Sequence, residues 1–113
     1  MITVYGIPNC DTVKKTLLWL DTNKVTYTFH DLRKNPVKAA HLKKWVKAKG
    51  IDKVVNKKST TWRELTNKKQ EDLLLLQDIS LIANNPTIIK RPVIERDGDL
   101  IIGYDEKEFS ILL

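Results

Sequence analysis

Within its first 31 residues the chain changes hydrophobic period twice, and this succession narrows the fold more than anything downstream. Ile2-Thr3-Val4-Tyr5 reads as a short buried strand, closed by Gly6-Ile7-Pro8-Asn9. Val13, Leu17 and Leu20 then recur at helical spacing in a segment that runs to about Asn23. Lys24 to Asp31 alternates and is rich in β-branched and aromatic residues (Val25-Thr26-Tyr27-Thr28-Phe29), so it reads as a second strand. Strand, helix and strand in so short a span make a βαβ unit, with parallel strands and a right-handed crossover.

The middle of the chain is helical. Asn35-Pro36 predicts a cap followed by proline at the first helical position, and Gly50 predicts the stop. Ala39, Leu42, Trp45 and Val46 are expected to face inward along that helix, and His41 outward. Residues 51–65 form a polar connection with two short helical pieces, around Lys53-Val54-Val55 and Trp62-Arg63-Glu64-Leu65. The block Leu73-Leu74-Leu75-Leu76 is too continuous for one face. It predicts two short helices broken near Gln77, the second capped by Asp78 and stopped at Asn84-Asn85-Pro86. Asp97-Gly98 is a hairpin turn between Pro92-Val93-Ile94-Glu95 and Leu100-Ile101-Ile102, and Asp105 caps a closing helix. The resulting fold class is α/β: a thioredoxin-like βαβ…ββα mixed sheet with a helical insertion after the second strand. One domain is expected over residues 1–113, with the insertion at about 35–85.

No apolar run approaches the roughly 20 residues of a membrane span. Met1 leads into a strand without the charged and apolar regions of a secretory signal. A single cysteine, Cys10, forms no internal disulfide, and His30 and His41 are too few to build a metal centre with it. A cytoplasmic protein with no membrane contact, no metal and no bound cofactor is expected. The formal charge is +6, and Arg33 to Lys69 holds 13 basic residues against Asp52 and Glu64. Such a segment either attracts an acidic partner or forms a solvated lysine-rich face, and the second is the commoner case. Nucleic acid is not expected as a partner, because no interleaved aromatic–arginine motif accompanies the charge.

The chemistry-bearing residues lie at two places. Asn9-Cys10-Asp11-Thr12 sets the thiol at the first turn of a helix, where free N–H groups and the helix dipole favour thiolate and lower its pKa from ~8.5. Asp11 works against this with its own charge or serves as a cap, and Thr12 adds a hydroxyl. Position 13 is Val, so there is no Cys-x-x-Cys pair, and a resolving thiol has to come from another molecule. Arg91-Pro92 opens a later strand and has two readings. One is a cis proline beside the thiol with a guanidinium for an anion; the other is an ordinary edge proline with a solvent-facing arginine. Trp19, Trp45 and Trp62 read as packing residues, and His30, at a strand end beside Asp31, as structural in preference to a general base.

Several stretches together resemble the arsenate reductase/Spx (ArsC-like) family, and in particular its small YffB-type members. These are Val4 to Lys15, Phe29-His30-Asp31, Thr60 to Leu65, and Ile88-Ile89-Lys90-Arg91-Pro92-Val93. The resemblance implies a nucleophilic Cys10, an anion-contacting Arg91 and a cis Pro92. It also implies a substrate or glutathione site drawing on Asn9, Asp11 and Thr12. Glutathione-linked arsenate reductases set three arginines around their oxyanion. Here Arg91 matches one, Asn56 with neighbouring Lys57 and Lys58 stands at the first, and Gly103 at the last. The activity implied is a glutathione-dependent thiol reductase or transferase acting on a small thiol or oxyanion substrate, with arsenate itself a poor fit. The Spx side of the family implies an alternative: a non-enzymatic regulator that binds the RNA polymerase α subunit or another acidic partner.

Overall fold

In the computed structural model, which describes residues 1–76 and 78–113, strand β1 (Ile2–Gly6) is interior to the sheet. It runs parallel to β2 (Thr28–Asp31) on one side and antiparallel to β3 (Val93–Arg96) on the other. β4 (Asp99–Ile102) pairs antiparallel with β3, giving the order β2-β1-β3-β4. Helix α1 (Asp11–Thr22) is the crossover between β1 and β2. The mixed sheet is therefore the one expected. The chain forms two compact units: Met1–Asn35 with Arg91–Leu113, and Pro36–Lys90.

The sheet unit owes its core to register. Val4 lies opposite Phe29 and Ile94, and Ile94 opposite Ile101, so one face carries an apolar row across all the strands. Ile2, Val4, Leu20, Ile94, Ile101, Phe109 and Leu112 bury together there. Each such side chain contributes about 1.5–3 kcal/mol on leaving water. Trp19 rests on Phe109 with ring centroids 5.3 Å apart, and Tyr104 meets the same ring edge-on at 5.1 Å. Asp97 and Gly98 both have positive φ, 44° and 96°, the geometry of a type I′ hairpin turn. Helix α7 (Glu106–Phe109) is capped by the Asp105 carboxylate, which accepts from the N–H groups of Lys107 and Glu108.

In the second unit, α2 (Ala39–Lys49) buries Leu42, Trp45 and Val46 and ends at Gly50, whose φ is +88°. Helix α3 (Ile51–Val54) follows, then α4 (Thr60–Glu64), capped by Ser59, α5 (Asn67–Leu76), and α6 (Ile79–Asn84), capped by Asp78. The expected break near Gln77 falls outside the described residues. Leu73 is buried while Leu75 is 79% exposed, so the leucine block is divided between two faces as its continuity suggested. A 3-10 turn, Pro86–Ile88, precedes an isolated antiparallel bridge from Val55 to Ile89. Among the described residues no helix is long and apolar enough to cross a membrane.

Several local expectations are corrected. Helix α2 starts at Ala39 and not at Pro36, with Lys38 at the N-cap position making no side-chain capping bond. The Asn35 N–H donates to Asp31 and its carbonyl accepts from the His30 ring, so this residue belongs to the turn after β2. Val37 is buried ahead of the helix, while Ala39 is exposed. Strand β2 begins at Thr28 instead of Lys24 because α1 closes with a Schellman turn. Lys24 is left-handed at φ 57°, Val25 donates to Leu20, and Lys24 donates to Asp21. His41 is half-buried, edge-on to Trp45 at 5.0 Å, and not exposed.

Candidate active site

The strand-to-helix turn is built by backbone bonds around the thiol. Cys10 is the N-cap of α1, extended at φ −91° and ψ 124°. Its N–H donates to the Ile7 carbonyl at 3.1 Å, and its carbonyl accepts from Lys14 at 2.9 Å. These two bonds fix the residue on both sides and leave the side chain partly exposed. No capping bond of ordinary geometry is made by this side chain. The Val13 and Thr12 N–H groups are instead available to sulfur and act on its ionised form.

The electrostatics of the sulfur follow from three neighbours. Partial burial pushes the thiol up. Against it stand the Val13 N–H, the Arg91 guanidinium (by hydrogen bond and by charge) and the Thr12 N–H, and together they hold Cys10 below its ordinary value. Arg91 reaches this place from the other end of the unit's sequence, and the Arg91–Pro92 peptide is cis. Pro92 is buried, and its carbonyl accepts from the Gly103 N–H at 2.8 Å. Gly103, standing where the resemblance puts a last arginine, therefore ties the β4 end to the proline.

The structure thus brings together Cys10, Thr12, Arg91 and the amide of Val13. Asn9 and Asp11 flank the sulfur in sequence and are exposed, and Thr12 also accepts, through its carbonyl, from Thr16 Oγ1 at 2.8 Å. Asn56 and Lys57 belong to the second unit. There they line a pocket of about 260 Å³ with Val55, Lys58 and Lys90. The Asn56 carboxamide oxygen accepts from the Lys58 N–H, and Lys57 Nζ sits 2.9 Å from Asp52 Oδ1. His30 packs on Tyr5 at 4.8 Å, and its Nε2 contacts the Asn35 carbonyl; a carbonyl only accepts, so that nitrogen carries the proton. This is a structural use of the ring. The contribution of Val13 was missed in the sequence, where the residue registers only as an absent cysteine. The signal was available, since a residue three after an N-cap presents its amide to the cap side chain.

A thiolate held this way attacks electrophilic sulfur near neutral pH more readily than an ordinary thiol, and with one cysteine in the chain the product is a bond to another molecule.

Comparison with known proteins agrees with the fold. The global transcriptional regulator Spx 1 of Bacillus cereus is 30% identical over 115 residues, covering 100% of this chain and 87% of that one. The solved structure of the YffB protein superposes with a TM-score of 0.93 at 36% identity, covering 100% of this chain and 99% of that one. An arsenate reductase (ArsC) related protein from Brucella melitensis gives a TM-score of 0.78 at 34% identity, covering 97% and 92%. Residues 5–112 match the model of the ArsC family. With that match spanning nearly its whole length, the chain belongs to the ArsC family, related both to arsenate reductases and to Spx regulators.

Proposed function

We propose that the protein is a glutathione-dependent thiol reductase or transferase working through Cys10 alone. The observation that carries this reading is the lowered thiol, backed by Val13, Arg91 and Thr12, in a chain with no resolving cysteine. In the first step the Cys10 thiolate attacks a glutathione mixed disulfide. A sulfur–sulfur bond forms between Cys10 and glutathione, and the substrate leaves as a thiolate that takes a proton from water. In the second step a glutathione thiolate attacks that bond, Cys10 leaves as thiolate, and oxidised glutathione carries away the two oxidising equivalents. Arg91 holds the sulfur ionised at rest and steadies it as leaving group in the second step. Glutathione enters as co-substrate, and Asn9, Asp11, Thr12, Arg91 and Pro92 are the residues assigned to contact it. Arsenate is not assigned as substrate: Asn56 and Gly103 supply no guanidinium, and a doubly charged oxyanion needs more fixed charge than Arg91 provides.

The test is mass spectrometry after exposure to oxidised glutathione, with Cys10→Ser as control. One adduct per chain on Cys10, reversed by reduced glutathione and missing from the variant, is the expected result. An inert thiol would reject the reading. The second reading is then preferred, and its support is the 30% identity with Spx 1 in an alignment that covers this whole chain. On that reading the protein is a non-enzymatic regulator that retains the RNA polymerase α subunit at low salt, and Cys10→Ser leaves the binding intact.

A further inference from the structure

The end of β1 and the start of α1 approach so closely that one position between them has no room for a side chain. A Cβ built on Gly6 would lie 2.7 Å from Val13 Cγ2 and 3.0 Å from Val13 Cγ1, with Phe29 at 3.5 Å. Gly6 does not have the positive φ that would itself call for glycine, so space is the requirement. Val13 is fully buried and cannot swing outward without leaving the core. The turn between them is short and tied down, with Cys10 bonded through its own N–H and carbonyl to Ile7 and Lys14. Any displacement of Val13 therefore moves the first turn of α1, which carries the amides of residues 12 and 13.

We propose that Gly6 is a positioning residue for the thiol: its bare backbone lets Val13 seat against the strand end, and this seating sets where α1 presents its first-turn amides to Cys10 Sγ. The inference rests on the reading of Cys10 as the reacting group, and it assigns to the Gly6–Val13 contact a part in reactivity as well as in packing. A methyl at position 6 pushes the isopropyl group away, and the Val13 N–H moves with it. Trimming Val13 to Ala removes both γ carbons that a Cβ at position 6 would strike, while leaving the amide in the chain.

The experiment is alkylation of the free protein by iodoacetamide as a function of pH, for wild type, Gly6→Ala, Val13→Ala and Gly6→Ala/Val13→Ala. Gly6→Ala is expected to move the midpoint upward and to slow alkylation at pH 6 about threefold. That figure combines a tenfold loss of thiolate per pH unit with the partly compensating gain in nucleophilicity. Val13→Ala alone gives up the seating and is expected to move the midpoint upward by less than Gly6→Ala does. The double variant, in which the clash is gone, is expected to fall back to the Val13→Ala curve; both melt at lower temperature than wild type. A Gly6→Ala protein that is less stable yet titrates like wild type overturns the inference and leaves the proposed function standing. A wild-type midpoint at or above the ordinary ~8.5 overturns both. If Gly6→Ala does not fold, Val13→Ala decides: an upward-shifted midpoint supports the proposal, and the wild-type curve overturns it.

Discussion

The sheet unit and the helical unit share one chain but handle charge in opposite ways. Met1–Asn35 with Arg91–Leu113 holds 8 Lys and Arg against 9 Asp and Glu, while Pro36–Lys90 holds 12 against 5. The bias toward a thiolate nevertheless lies in the near-neutral unit, where one guanidinium and two amides act on a single sulfur. In the basic unit Lys57 faces Asp52 across 2.9 Å, with their side chains 48% and 76% exposed. Water and salt screen such a pair, and it does little for stability. Placement beside a partly desolvated group therefore outweighs the number of cations.

The largest effect expected from this contrast is at Arg91. Arg91→Ala removes a hydrogen bond and a charge from the sulfur, and alkylation of Cys10 at pH 6 should slow about tenfold, less the gain in intrinsic nucleophilicity. Unchanged reactivity would mean that the helix amides do the work alone. A smaller effect is expected in the pH dependence of stability. The native thiol lies below its unfolded value, so between the two values the unfolded state binds more protons. The stability of wild type relative to Cys10→Ser should gain nothing from ionisation below the native value. It should rise with pH up to the unfolded value near ~8.5 and hold level above it. Denaturant titrations of both proteins from pH 5 to 9.5 measure this; a difference that is flat across the range, or falls with pH, contradicts the lowered thiol. The smallest effect belongs to Lys57→Ala, which should change stability by less than ~0.5 kcal/mol and leave Cys10 alkylation within about twofold. A larger change in alkylation would show that the basic unit acts on the thiol after all, and would dissolve the contrast.

How much of this was legible beforehand depended on the range of each interaction. The Asp97-Gly98 turn, the Asp78 and Asp105 caps and the Gly50 stop were readable because each is satisfied within a few residues. Asn35-Pro36 misled for the complementary reason. A good helix start lost to a turn in which Asn35 serves both Asp31 and His30, and to the burial of Val37. Lys24 misled too, because nothing in its side chain announces a left-handed conformation. At the candidate site, Cys10 stood out by its place between a strand and a helix. For Arg91, residue-level reading left two geometries open.

The sequence alone determined the alternation of strand and helix, the caps and turns that punctuate it, and the presence of one thiol with no internal partner. Those depend on periodicity, φ preferences and composition, all of which are local. Only the tertiary structure decided that β3 would lie antiparallel beside β1, because pairing distant strands depends on apolar rows matching across the sheet. That pairing carries Arg91 to a sulfur 81 positions earlier in the chain and leaves Gly6 and Val13 no space between them.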